Sequence, residues 1–438
     1  MENGNRMIMY RDWTPKAKMI VMMLLSFSFV MVGFLSEPTF GGAWNNLWQV
    51  ASHQNMLIVD YFYVGSLSGA FLNVGLLGVI TTLVFWINKQ PFNGLNIAII
   101  FTVKGFALIG KNLINIWPIL LGVYLYSKYK KEPYSKHVNA AFLATAMSPV
   151  VTEVMFHTPF SPVTRVVLSI LIGIVIGFIV PPMGGHFSSP CGGNNLYNIG
   201  FTAGMVVMLV AAVFRAFGYV HTPMLLVSTE YHAFLAIYVL VMSIVLIILG
   251  ILSDKTAVAY LMRLWQRPGT LVTDFVDLDG FSAVVLNMGI TGVFCVLYVF
   301  VVGGQLNGAV VSGIFTVMGF SAAGNHLKNI IPIMVGVALG TIFKLWDINA
   351  TPILMVSLFG TALSPIAGKF GFLAGVVAGF LHLSLVNQTG SFHAGMNLYN
   401  NGFSAGLLAL IMTPILVSLV KPRKLPASLD DKYITRTV

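Results

Sequence analysis

A few ionisable side chains sit where an apolar chain has least reason to keep them. Lys104, Lys111, His326 and Lys328 fall within or beside glycine-broken apolar segments, His186 and His393 in two glycine-rich breaks, and Glu153 just after a Ser-Pro pair. A charged group at the bilayer centre costs at least about 2.5–3.5 kcal/mol on insertion scales, so one that persists there is a functional candidate. The positive excess points to an anionic or electron-rich solute, and Glu153, His186 and His393 are candidates for proton coupling. Each also has a plain reading. Lys104 can snorkel to an interface, either histidine can satisfy a buried carbonyl, Glu153 can sit at the interface near His157, and Asp60 and Asp274 can cap helix starts.

The second chemical signal is amide-rich. NLYN occurs at 195–198 after PPMGGHFSSPCGGN and again at 397–400 after NQTGSFHAGM. Asn194, Asn195 and Asn198, with Asn397, Asn400 and Asn401, stand where a helix restarts after glycines. A restarted helix exposes unpaired N–H groups and the positive end of its dipole, which favours carbonyl or anionic groups. Asparagine both donates and accepts, which suits a small polar solute; the competing reading is helix capping with close glycine packing.

These residues belong to a chain that repeats itself. GFALIGKNLINIWPILLGV at 105–123 returns as GFSAAGNHLKNIIPIMVGV at 319–337, 214 positions on. Asp60 and Asp274, Asn73 and Asn287, and Asn93-Gly94 and Asn307-Gly308 keep that spacing, while Ser148-Pro149 meets Ser364-Pro365 slightly further on. Not every charge is duplicated, because Lys111 aligns with Asn325 and Lys328 with Ile114. Matched interruptions place Gly105, Gly110, Lys111, Asn112 and Ser148 of one half with Gly319, Gly324, Asn325, His326 and Ser364 of the other around one expected binding site.

Composition sets the surroundings. With 57% hydrophobic and 9% charged residues and a mean hydropathy of +0.86, the chain is an integral membrane protein. The formal charge of +10 lies in short connections, which sets topology rather than binding nucleic acid. Cys191 and Cys295 do not correspond between halves, so neither a disulfide framework nor a metal cluster is expected, and no cofactor is. Basic connections near Lys89, Lys128–Lys136, Lys255–Arg267 and the tail assign one face to the cytoplasm. Their counterparts in the other half are nearly free of charge, so the halves are expected to be inverted.

The reading is therefore an all-α polytopic protein of about fourteen segments, two inverted repeats of seven. A cytoplasmic segment at 1–17 precedes repeat 1 at 18–217, a loop at 218–232, repeat 2 at 233–420 and a cytoplasmic tail at 421–438. The paired GFxxxGxxLxNIxPIxxGV and NLYNxGFxAG motifs resemble a family of bacterial multi-spanning membrane proteins catalogued only as a domain of unknown function. The architecture is similar to that of seven-plus-seven inverted-repeat transporters of nucleobases, sulfate and bicarbonate, a likeness that implies a core moving against a scaffold. The expected function is secondary transport of a small polar or anionic solute across the cell membrane, with a proton or sodium ion as coupling ion. The bilayer is the expected surrounding partner, and a homodimer is compatible with the sequence. A channel-like facilitator, a membrane enzyme acting on a lipid and a sensor or scaffold are the alternatives; no nucleotide loop, HExxH or nucleophile elbow supports an enzyme.

Overall fold

The computed structural model describes residues 13–53, 57–188, 191–219, 224–271, 273–342 and 345–423. Most of the expected 1–17 segment and 421–438 tail, part of the 218–232 loop, and Arg6, Arg11, Lys344 and Lys424 lie outside the described residues. The first half forms α1 (Pro15–Leu35), α2 (Phe40–Ser52), α3 (Tyr61–Ile87), α4 (Gly94–Phe106), α5 (Trp117–Tyr129), α6 (Val138–Ala144), α7 (Ser148–His157), α8 (Pro162–Ser188) and α9 (Asn198–Ala216). The second forms α10 (His232–Ser253), α11 (Ala257–Leu264), α12 (Phe275–Asp279), α13 (Phe281–Val301), α14 (Gly308–Phe320), α15 (Leu327–Thr341), α16 (Thr351–Phe359), α17 (Ser364–Phe370), α18 (Phe372–Thr389) and α19 (Asn400–Leu419). The elements correspond in order, down to their faults. α3 is kinked at Gly65 and Ser66, where α12 and α13 separate at Gly280. The α6–α7 and α16–α17 joints each pass through a 3-10 turn into a Ser-Pro start, where proline costs no hydrogen bond.

Among the described residues ten helices or joined helix pairs are long and apolar enough to cross a membrane. The remaining segments of the expected fourteen are α4, α5, α14 and α15, of 13, 13, 13 and 15 residues. At 1.5 Å per residue they reach about 20 Å, short of a ~30 Å hydrocarbon core. Gln90 Nε2 donates to the Ser135 carbonyl (3.0 Å) and Asn96 Nδ2 to Asn139 Oδ1 (2.8 Å), so the chain enters α4 and leaves α5 on the same face. Thus α4 and α5 form a re-entrant hairpin, and α14 and α15 form its counterpart, with Asn307 Nδ2 on Thr351 Oγ1 (2.8 Å) at the root. Five crossings and one hairpin per half still make an odd number, which inverts the second copy.

Side-chain contacts bear the inversion out. Trp13, just before α1, donates to Ser282 at the start of α13 (3.1 Å), and Ser253 at the end of α10 donates to the same hydroxyl (2.9 Å). α1 therefore starts where its counterpart α10 ends. Gly94 at the root of α4 bonds to Asp274, which joins this face to the Lys255–Arg267 connection, and Arg423 N reaches the Lys369 carbonyl (2.9 Å). The basic connections thus gather on one face. α4 and α14 lie antiparallel at the centre: all of α14 is buried, and all of α4 except Leu95. Gly105 and Gly319 set their approach, since a Cβ there would come within 2.7 Å of the Ser312 carbonyl oxygen and of Phe101 Cβ respectively.

This topology makes a labelling prediction. With the native thiols Cys191 and Cys295 both buried, Lys89→Cys and Lys131→Cys should react with an impermeant maleimide from one face, Glu230→Cys and Gly303→Cys from the other, and Ile114→Cys from neither. Reaction of the Lys89 and Lys131 positions from opposite faces would mean that α4 and α5 form one broken crossing.

Candidate functional site

A helix that ends inside a bilayer leaves N–H and C=O groups that water cannot reach, and each unsatisfied one costs roughly 1–3 kcal/mol. The duplicated asparagines and aspartates meet this cost. Asn93 caps α4 through Asn96 N, and Asn307 caps α14 through Val310 N, both at 3.0 Å. Asn73 donates to the carbonyls of Ala107 and Lys111 (2.7 and 2.8 Å), as Asn287 does to Ser321 and Asn325 (2.8 and 2.9 Å). At the tips Asn115 returns to the Gly110 carbonyl and Asn329 to that of Gly324, each at 2.9 Å. The repeats then exchange a carboxylate: Asp60 accepts from Phe62 N (2.9 Å) and Gly308 N (3.0 Å), while Asp274 accepts from Val276 N (3.0 Å) and Gly94 N (2.9 Å).

Both glycine-rich stretches run inward to these tips. Leu271 N bonds the Gly193 carbonyl (3.0 Å) and Leu57 N that of Gly395 (2.8 Å), on opposite faces. From there Leu196 N reaches the Ala362 carbonyl (2.9 Å) and Leu398 N that of Ala146 (3.1 Å), both inside the 3-10 joints. The two leucines rest on the hairpin tips, close enough that a Cβ at Gly110 would collide with Leu398, and one at Gly324 with Leu196. α9 and α19 start at this level and touch at Gly200 and Gly402, where a Cβ on Gly200 would lie 2.8 Å from the Gly402 Cα.

Between the helix starts and the α4–α14 pair lies a cavity of about 250 Å³. Equivalent residues of the two repeats line it, Thr102 with Thr316, Phe106 with Phe320 and Tyr197 with Tyr399, so it lies on the pseudo-two-fold axis. Leu95, Gly184 and Leu271 extend it toward the basic face. Among the described residues no charged side chain lines it, but Lys111 lies immediately behind, fully buried, with Nζ 3.0 Å from the Tyr399 hydroxyl.

Of the site residues expected from sequence, Asn198 and Asn401 line this cavity. The others shape its surroundings. Asn195 and Asn397 accept from Tyr197 N and Tyr399 N (3.0 Å each), Asn194 bonds Thr413 (3.0 Å), and Asn400 holds His393 (2.9 Å). Asn112 accepts from Ile114 N and Asn115 N (2.9 Å each), Ser148 donates to the Gly110 carbonyl (3.3 Å), Ser364 to Asn325 (2.7 Å), and His326 meets the Arg267 carbonyl (2.9 Å). His186 is exposed near the end of α8, whereas the His393 turn takes a hydrogen bond from Arg215 at the far end of α9, near Glu153; the three do not converge. The aromatic and threonine lining was missed, although FTVKGF at 101–106 and FTVMGF at 315–320 repeat it plainly. His382, which bonds Asn401 Oδ1 at 3.2 Å, has no such signal.

Comparison with known proteins agrees with the duplication. A family described as "Protein of unknown function (DUF1576)" matches residues 41–216 and again 253–418. No curated protein and no solved structure matches.

The motif asparagines give a test of role. Asn195→Ala and Asn397→Ala each leave a buried tyrosine N–H without its acceptor and should cost about 1–3 kcal/mol, read as a lowered melting temperature in detergent. Unchanged melting with weakened solute binding would instead make these side chains direct ligands.

Proposed function

The chain belongs to the DUF1576 family, which it matches once per half, and we propose that it is a secondary carrier for a small polar or anionic solute. The observation that carries this reading is the axial cavity, walled by equivalent residues of two inverted repeats where their broken segments meet. Binding at a repeat interface between interrupted helices is the arrangement by which inverted repeats give alternating access. Two uncapped helix starts, α9 and α19, border the cavity and favour solutes rich in hydrogen-bond acceptors. A cavity of about 250 Å³ has room for a small organic solute. The positive-inside rule makes the basic face cytoplasmic. The extension of the cavity toward that face then corresponds to an inward-leaning state. A facilitator is the second reading, favoured by the position of the cavity on the axis.

A thermal-shift screen of small anions, carboxylates, nucleobases and urea-like solutes comes first; a ligand at one hundred times its Kd stabilises by about 2.7 kcal/mol. In proteoliposomes Thr102→Phe and Thr316→Phe, which fill the cavity, should reduce flux of the hit at least tenfold. Leu121→Phe, in an outward apolar groove, should not. Undiminished flux in both cavity variants would sink the carrier reading. Acceleration by solute on the far side marks a carrier, and its absence a facilitator.

A further inference from the structure

We infer that the solute is a small monovalent organic anion, a carboxylate on an apolar body, whose charge is answered by Lys111 acting through Tyr399. This rests on reading the axial cavity as the transport site. Lys111 is 0% exposed at the tip of the first hairpin and pairs with no carboxylate among the described residues. Its polar contact is the Tyr399 hydroxyl at 3.0 Å, and the rings of Tyr399 and Phe106, 5.0 and 5.6 Å away, separate it from the cavity they line. An ammonium that donates to the tyrosine oxygen leaves the phenol proton for an acceptor beyond it. In the second half an amide replaces the ammonium: Asn325 stands at the equivalent place, held by Ser364 at 2.7 Å, and the Tyr197 hydroxyl meets Thr361 at 3.2 Å.

Asn401 and two helix starts lean the same way. His382 Nε2, 3.2 Å from Asn401 Oδ1, occupies the acceptor of that amide and leaves its NH2 for the cavity. The Asn198 side chain, 7% exposed and lining the cavity, has an Oδ1 with no partner among the described residues, an acceptor that takes a donor and not the carboxylate itself. α9 and α19 begin at the same space without a side-chain cap, so their first N–H groups add positive potential. The rest of the lining is mainly apolar, with Phe106, Phe320, Leu196 and Leu398 among it, and suits an apolar body. A cation would meet Lys111 with no carboxylate in the lining to offset it. Lys104 is a different case: it turns toward α1, 3.5 Å from the Met22 carbonyl, and Met318 holds its place in the second half.

The experiment compares benzoate, benzamide and benzylammonium, similar in shape and different in charge, for binding by thermal shift and for flux in proteoliposomes. Wild type should bind benzoate at least tenfold more tightly than the other two. Lys111→Asn, which installs the residue of the second half, should abolish that preference, and Lys104→Met should keep it. Should Lys111→Asn fail to fold, Tyr399→Phe retains the ring, removes the bridging hydroxyl and should reduce the preference at least tenfold. Equal binding of benzoate and benzamide, or a preference unchanged in Lys111→Asn or Tyr399→Phe, overturns the inference. Transport of the neutral probe alone would remove the anion and leave the carrier. Neither binding nor flux of any probe in wild type would remove both.

Discussion

The structure turns on one problem: two half-length helices, α4 and α14, end inside a membrane protein with no water to receive their backbone groups. Every terminus is closed by a side chain, and the root of each helix is closed partly by the other repeat, Asp274 on Gly94 and Asp60 on Gly308. That exchange is more than capping. A carboxylate that accepts from its own helix start and from the opposite hairpin ties the direction of each repeat to the position of the other. Removing either acid would leave two helix starts unsatisfied in an apolar interior, where each N–H is expensive.

Given that frame, the differences between the halves are more informative than the likenesses. Asn73 and Asn287, Asn93 and Asn307, and Asn115 and Asn329 do the same work in the same places. Residues that differ cluster at the cavity: Lys111 against Asn325, and Asn401 against Ile199. A duplicated scaffold constrains both copies equally, whereas a single solute on the axis can be held by only one orientation of charge and amide. On the proposed reading, the symmetric asparagines serve chiefly the fold, and the asymmetric Lys111 and Asn401 chiefly the solute.

This also explains what could be read from the sequence. The duplication, the inversion and the interrupted segments were legible because repeated residues and loop charge are linear signals. Of the expected site residues, Asn195, Asn397 and Asn112 were conspicuous for the very reason that backbone ends in a membrane need them, and they serve the backbone. Thr102, Phe106 and their partners were obscured, since an apolar wall looks like any other apolar helix face. That α4 and α5 form a hairpin rather than two crossings depends on contacts such as Gln90 with Ser135, which periodicity does not carry.

The cavity itself is less symmetric than its walls. Thr102, Phe106 and Tyr197 face their counterparts across the axis, yet the space extends past Leu95 and Leu271 toward the basic face, without Ala309 and Leu57, their equivalents on the other side. Two copies of one fold have thus settled into unequal local conformations around a shared centre. In an inverted pair, exchanging those conformations produces a cavity that leans to the opposite face, with the same contacts made by the opposite partners. The energy separating the two states is then set mainly by residues that are not duplicated. On the proposed carrier reading, that places Lys111 and Asn401, and any solute they hold, in control of which face the cavity meets.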